Sequence, residues 1–383
     1  MTQTNPNKST SDLSQTSSYI GGKWRKSALQ IAVTDPATGQ VIANIDAMAA
    51  NDADDAVTAA QAAFRPWADL LPQERSRHLK NWRAKITENR ETLAQVMVAE
   101  QGKPISEARG EIDYAASFIE YYAEEAKRNN VESVVSHIKN AEMELWREPI
   151  GVVALVTPWN FPTAMLTRKA AAALAAGCTV VAHPSIETPL SALALAKLAE
   201  EAGIPPGVFN VVAGDAATIV TPWCADSRVR AMSFTGSTEV GRLIYRQCAQ
   251  TVKRLVLELG GHAPFIVFSD ADLDRAVSEA IAAKFATSGQ DCLGANRMFI
   301  ARDVYDAFCE RFVAAARKLS VGAGKDDPDI GPLMHERLVQ KQEAHVADAL
   351  AKGARVALGG KRHVAGSLFF EPTVLIDVPD SAN

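Results

Sequence analysis

The chain has 383 residues, and a single hydrophobic core rarely grows past about 250–300 residues, so more than one domain is expected. Forty Lys and Arg stand against 45 Asp and Glu, a formal net charge of −5, and this mildly acidic balance argues against a general nucleic-acid binder, which needs a basic face. Hydrophobic residues at 47% and charged residues at 22% are ordinary globular usage, which excludes disorder over most of the chain; no run approaches about 18 consecutive apolar residues, so no membrane span is expected.

Residues 1–18 are crowded with Ser, Thr, Asn and Gln and hold no apolar segment, so they read as a disordered tail rather than a secretory signal or an Arg-rich transit peptide. Order is expected from Tyr19. Residues 31–45 are short and β-like, with a turn at Pro36-Ala37-Thr38-Gly39. Asn51, Asp52, Asp54 and Asp55 then suit a helix N-terminus, with Val57, Ala60 and Phe64 on one face. Leu79, Trp82, Ile86, Leu93, Val96 and Met97 continue at helical spacing, as do Ile105, Ile112, Ile119 and Tyr122. The texture changes at Ile150. Apolar runs at 150–156, 178–182, 208–213, 231–235 and 253–259 alternate with helical stretches at 163–177, 188–202 and 237–250. Such runs read as strands buried on both faces, and their alternation with helices as βαβ units of a doubly wound parallel sheet. A second α/β region follows: strand 265–268, helix 271–287, strand 298–301, helices 302–319 and 334–352, strand 355–358 and a last strand around 373–378.

In open α/β sheets, ligands bind outside the carboxyl ends of the strands. After 150–156 comes Thr157-Pro158-Trp159-Asn160-Phe161-Pro162, read either as a structural turn with an aromatic anchor or as a rigid loop aiming the Asn160 amide. After 178–182 comes His183-Pro184-Ser185-Ile186-Glu187, where a dinucleotide fold carries its ribose-reading group; His183 is either that group or an ordinary turn residue. Gly236-Ser237-Thr238-Glu239-Val240-Gly241 opens a helix, a start that suits a pyrophosphate. Glu258, followed by Gly260 and Gly261, is either a general base or a solvated carboxylate. Five cysteines are scattered without CxxC spacing, so no zinc site, disulfide framework or other metal site is expected, and free thiols fit a reducing cytoplasm. Cys178, Cys248 and Cys309 read as core residues, whereas Cys292 lies in the loop Ser288-Gly289-Gln290-Asp291-Cys292-Leu293-Gly294, a setting for a nucleophile.

PWNFP (158–162), FTGSTEVG (234–241), LELGGHAPF (257–265) and GQDC (289–292), in that order, resemble the aldehyde dehydrogenase superfamily, and the resemblance runs from Tyr19 to Asn383. The segments 164–178, 258–277, 330–333 and 352–360 are similar to its succinate-semialdehyde dehydrogenase branch. The resemblance implies an α/β fold with a Rossmann-type parallel-sheet cofactor domain over 19–258, a bridging hairpin near 128–147, and a second α/β catalytic domain over 259–383, incomplete at its C-terminus. It implies NAD or NADP as cofactor, a small aldehyde as substrate and a cytoplasmic enzyme with no nucleic-acid or membrane partner. Cys292 resembles the nucleophile, Glu258 the base that activates water, and Asn160 the oxyanion donor together with the Cys292 N–H. Trp159, His183, Ser185, Ile186, Gly214, Gly236, Ser237 and Gly241 match cofactor-binding positions, and Arg168 a substrate-carboxylate position. Lys103 and Pro104 match a structural landmark.

Three departures from the family pattern stand out. His183 occupies a position that is normally Lys, and Ile186 one where NAD-preferring members often carry Glu, so no carboxylate is expected to repel a 2′-phosphate there and no lysine to attract one. The branch's second arginine falls at Ala286; one guanidinium in place of two loses a charge-assisted hydrogen bond, roughly 1.5–3 kcal/mol. The family's EE-F-GP motif and final strands have no counterpart up to Asn383. An incomplete catalytic domain with unpaired strand edges is therefore expected to turn over little, and the homo-oligomer of full-length relatives is doubtful here. The alternative reading is a catalytically impaired or silent truncated remnant of the same family.

Overall fold

The structure, a computed structural model, describes residues 13–128 and 130–383. The chain forms two compact units: the described residues up to Val33 with Ala43–Leu93 and Gly110–Glu258, and Thr34–Ile42 with Ala94–Arg109 and Leu259–Asn383. The second unit thus draws in the segments 34–42 and 94–109 from earlier in the chain.

The chain opens with β1 (Ser18–Ile20), β2 (Lys23–Arg25), β3 (Gln30–Thr34) and β4 (Val41–Asp46), followed by α1 (Ala50–Ala68), α2 (Pro72–Glu88), α3 (Arg90–Gln101) and α4 (Ile105–Glu125). The expected tail lies outside the described residues over 1–12, and over 13–18 it is corrected. Leu13 is buried, the Ser17 hydroxyl donates to Asp46 at 2.7 Å, and Ser18 begins a strand. The helices start where carboxylates satisfy orphan N–H groups: Asp52 accepts from Ala49 N–H at 3.0 Å, and Glu74 from Leu71 N–H at 2.9 Å with Pro72 in the first turn. Val57, Ala60, Leu79, Trp82, Ile86, Leu93, Met97, Ile112 and Ile119 are buried, as the periodicity predicts.

A hairpin, β5 (Glu132–Val134) and β6 (Met143–Leu145), precedes the alternating region. There β7 (Val152–Val156), α5 (Ala164–Ala175), β8 (Thr179–His183), α6 (Pro189–Glu201), β9 (Phe209–Val211), α7 (Ala216–Ala225), β10 (Val229–Gly236), α8 (Thr238–Cys248) and β11 (Arg254–Leu259) follow. The sheet order is β11-β10-β7-β8-β9-β1-β2, with β7 parallel to both β8 and β10. The chain therefore leaves β7 in one direction through β8 and β9, then returns to its other side with β10. This reversal leaves a crevice at the carboxyl ends of β7 and β10. At that level Val156 is in register with His183 and with Phe234. Strands β7, β8 and β9 are buried throughout, but β11 alternates between exposed and half-buried. The expectation of burial on both faces fails for β11 because it is the last strand of the sheet.

The second unit contains β12 (Ala263–Val267), α9 (Leu273–Phe285), β13 (Ala295–Ile300), α10 (Tyr305–Ala316), α11 (Glu336–Ala351), β14 (Arg355–Leu358) and β15 (Val374–Ile376). Strands β12 and β13 are parallel, and β14 and β15 antiparallel. Val267, Val277, Ala280, Phe285, Phe308, Phe312, Ala316 and Ile330 form its core. No helix among the described residues is long and apolar enough to cross a membrane.

Candidate functional site

Trp159 and Asn160 sit half-buried on the loop after β7. The loop is tied at its start by Thr157 N–H donating to the His183 carbonyl at 3.1 Å. Its far end is held by Glu111, a buried carboxylate of α4, whose Oε1 accepts from Thr163 N–H (2.9 Å), Thr163 Oγ1 (2.7 Å) and Ala164 N–H (3.1 Å). Thr163 makes no cap of its own, so a distant residue supplies the negative charge that the N-terminus of α5 favours.

Across the crevice, Gly236 ends β10 and Ser237 caps α8, its hydroxyl accepting from Val240 N–H at 3.3 Å. A Cβ at Gly236 would lie 2.5 Å from the Phe234 ring, and one at Gly214 would lie 2.8 Å from the Met48 carbonyl oxygen, so both glycines permit close backbone approach. Gly241 is buried in α8. The Thr235 hydroxyl, one residue before Gly236, is buried with no hydrogen-bond partner. A glycine, a helix N-terminus and an unsatisfied hydroxyl at a strand-order reversal fit the pyrophosphate of a dinucleotide.

At the end of β8 the His183 ring is 2% exposed, and its Nδ1 lies 3.0 Å from the Val212 carbonyl oxygen, which can only accept. Burial pushes its pKa down, against the pull of that carbonyl, Asp215 and Glu187, so the ring is held neutral. His183 is thus engaged by the main chain and offers no cation. The Ser185 hydroxyl donates to Glu187, so a carboxylate stands one residue beyond the exposed Ile186.

Arg168, on α5, is gripped by two aromatic residues of α4. Its guanidinium carbon lies 4.5 Å from the Phe118 ring centroid and 5.7 Å from that of Tyr114, and Nη2 donates to the Tyr114 hydroxyl at 2.8 Å. Its Nε is buried without a partner. The neighbouring Lys169 is buried and donates to Ser233 Oγ at 2.8 Å. Burial lowers its pKa to about 8, with Arg168 adding to the fall and the Glu258 carboxylate opposing it. Glu258 is exposed near the end of β11.

Cys292 belongs to the second unit and is exposed, whereas Cys178, Cys224 and Cys248 are buried and Cys309 half-buried. The loop before it runs through two non-glycine residues in left-handed conformation, Thr287 (φ 51) and Ser288 (φ 57), then Gly289 (φ 72). Such residues cost of order 1–3 kcal/mol each and persist only where the surroundings fix them. Ala286, in the place of the branch's second arginine, is exposed at the end of α9. Lys103 is buried, and the Gly102 and Lys103 carbonyls crowd Gly324, where an added Cβ would meet them at 2.5 and 2.2 Å.

The eleven other expected site residues all fall in the first unit. Sequence reasoning missed Glu111, Tyr114, Phe118, Lys169 and Glu187. Only Glu187 had a local signal, its place two residues after Ser185. Among the described residues, no group of three or more His, Cys, Asp or Glu is placed to hold a metal ion.

The family model described as the aldehyde dehydrogenase family matches residues 24–383. A succinate-semialdehyde dehydrogenase [NADP(+)] of Escherichia coli (strain K12) is 49% identical over 375 residues, 97% of this chain and 78% of that protein. A non-phosphorylating aspartate-semialdehyde dehydrogenase of Halomonas elongata is 51% identical over 363 residues, 94% of this chain and 74% of that protein. The crystal structure of succinate-semialdehyde dehydrogenase from Burkholderia pseudomallei superposes with a TM-score of 0.96 at 49% identity, covering 97% of this chain and 78% of that one.

Proposed function

This chain belongs to the aldehyde dehydrogenase family, and from that premise we propose that it oxidises an aldehyde bearing an anionic group, succinate semialdehyde in the first instance, to the carboxylic acid. The observation that carries the reading is the exposed thiol of Cys292 on its left-handed loop, while the other four cysteines are buried or half-buried.

The Cys292 thiolate attacks the aldehyde carbon, forming a C–S bond and an oxyanion. The Asn160 amide and the Cys292 N–H donate to that oxygen; one such donor is worth about 2.7–4 kcal/mol in the transition state. NAD or NADP, when bound, supplies the hydride acceptor. Its pyrophosphate would rest on Gly236, Ser237 and the buried turn at Gly241, with Gly214 and Trp159 at its flanks and His183, Ser185 and Ile186 toward its ribose. Loss of that hydride from the adduct carbon would leave a Cys292 thioester; Glu258 takes the proton from the water that opens it, which releases the acid and restores the Cys292 thiolate. A base in this role favours hydrolysis over transfer of the thioester to coenzyme A.

Arg168 supports an acidic substrate. Its guanidinium is stacked and directed by Tyr114 and Phe118 and keeps donor capacity beyond the Tyr114 bond. The relatives from Escherichia coli and Halomonas elongata are named for different semialdehydes, and both of those substrates carry a carboxylate. Trapping tests the proposal: incubate the chain with succinate semialdehyde, with and without NAD or NADP, and analyse Cys292 by mass spectrometry. A reversible aldehyde adduct at Cys292 and NAD(P)H formation are expected; absence of the adduct refutes the reading. A second reading, a cofactor-poor protein of the same fold, is favoured by the buried neutral His183. It predicts the adduct without NAD(P)H. Free thiols also suit the proposed cytoplasmic setting.

A further inference from the structure

The three left-handed residues before the thiol are held by a specific set of contacts, all within the second unit. Glu107, in the first turn of α4, accepts from Thr287 N–H at 2.9 Å. Ser288 Oγ accepts from Gly331 N–H at 2.9 Å. Gln290 accepts from Met334 N–H at 2.9 Å and donates to the Pro332 carbonyl at 3.3 Å. The segment that receives the last three bonds is itself fixed to the start of α4. A Cβ at Gly331 would lie 2.4 Å from the Gly102 carbonyl oxygen, and Ser106 N–H donates to Asp327 at 2.9 Å.

We propose that Glu107 is a positioning residue for Cys292: its carboxylate holds Thr287 left-handed and so sets the path by which the thiol loop leaves α9. The proposal rests on the reading of Cys292 as nucleophile. The chain turns extended at Ala286 (φ −50, ψ 138), Thr287 is the first left-handed residue after it, and Thr287 is buried. Without an acceptor, its N–H would be unsatisfied in a position that water barely reaches, and the ordinary β or right-handed conformations would compete. Either one redirects every residue after it, and Cys292 lies five positions on. Burial raises the Glu107 pKa, opposed by Lys103 and the Thr287 bonds. A carboxylate or a neutral carboxyl can each accept this N–H, so the clasp needs the oxygen rather than the charge.

The test is the rate of Cys292 alkylation by iodoacetamide on the full chain, read by peptide mass spectrometry with Cys309 as internal reference. Glu107→Ala is expected to slow Cys292 by about tenfold or more while leaving Cys309 unchanged. Glu107→Gln keeps an amide oxygen at the same reach and is expected to stay within about twofold of wild type. Glu107→Asp keeps the charge but is one methylene short, so it is expected to follow Ala; this variant also decides the matter if Glu107→Ala does not fold. The proposal is overturned if Ala or Asp leaves the Cys292 rate unchanged, if Gln behaves as Ala does, or if Cys309 changes in parallel. If wild-type Cys292 reacts no faster than Cys309, the nucleophile reading itself has failed, which is a separate result.

Discussion

Replacing Arg168 with Met separates recognition of the substrate's charge from chemistry at its aldehyde. The guanidinium lies 4.5 Å from the Phe118 centroid and donates to Tyr114, so its direction is set before any ligand arrives. One hydrogen bond from such a cation to a carboxylate contributes about 1.5–3 kcal/mol, or roughly 10- to 150-fold in affinity. Phe118→Leu keeps the charge and loses the stack, about 0.5–1 kcal/mol, or two- to fivefold. The assay is the aldehyde concentration that half-protects Cys292 from alkylation, measured with succinate semialdehyde and with butanal, which has the same carbon count and no charge. Arg168→Met should raise the value for the acidic aldehyde by the larger factor and leave butanal within about twofold, with Phe118→Leu intermediate. If Arg168→Met weakens both aldehydes equally, or neither, Arg168 does not read the carboxylate.

Three further outcomes are expected. Gly236→Ala forces a Cβ to 2.5 Å from the Phe234 ring, so it should cost about 1–3 kcal/mol in a denaturant melt and weaken NAD binding by titration; an unchanged dissociation constant would remove Gly236 from the cofactor site. The Glu187 carboxylate beside Ser185, together with a neutral His183, should make the wild type bind NAD more tightly than NADP, and Glu187→Gln should narrow that gap by about tenfold in calorimetry; equal wild-type affinities contradict this. Lys169 has its pKa lowered to about 8 from 10.5, so between those values the folded chain binds fewer protons than the unfolded one and stability rises with pH. Relative to Lys169→Met, wild type should gain up to about 1.4 kcal/mol per pH unit from pH 8 toward 10, and a flat difference would show that Lys169 keeps its proton.

The parts of the fold that could be read in advance are those that bury apolar side chains at a fixed period. Strands β7 and β8 are uniformly buried, and the apolar runs Val152–Val156 and Val180–Ala182 say so directly. Helix α7 falls where the sequence reading places no element, and Thr218, Ile219, Val220, Thr221 and Pro222 have poor helix propensity. Tertiary packing overrides that preference: Ile219, Val220, Trp223 and Cys224 are buried, and the Trp223 indole donates to the Ala53 carbonyl at 3.0 Å. Its one local signal is Asp215 three residues before Thr218, whose N–H it accepts at 2.8 Å. The edge position of β11 had no signal at all, since the apolar run at 253–259 resembles those of the central strands.

The site divides along the same line. Asn160, Gly236, Glu258 and Cys292 announce themselves because each stands in a short motif at an element's end. Their supports do not, because each acts on a partner far along the chain: Glu111 reaches Thr163 and Ala164, while Tyr114 and Phe118 reach Arg168. Yet these three supports share a pattern. Positions 111, 114 and 118 recur at intervals of three and four, the spacing of one face of a helix, and they adjoin the buried stripe of Ile112, Ala115 and Ile119. Glu111 is buried at the edge of that stripe, whereas Phe118 is half-buried and Tyr114 exposed, so the spacing places the three side by side without marking their partners. One helix face thus caps α5 at its first turn and stacks the arginine one turn further along, so the loop that carries Asn160 and the Arg168 guanidinium are both held by the same helix. Loosening α4 at Glu111 should therefore disturb Asn160, proposed as the oxyanion donor, and Arg168 together, a coupling that two independently supported groups would not show.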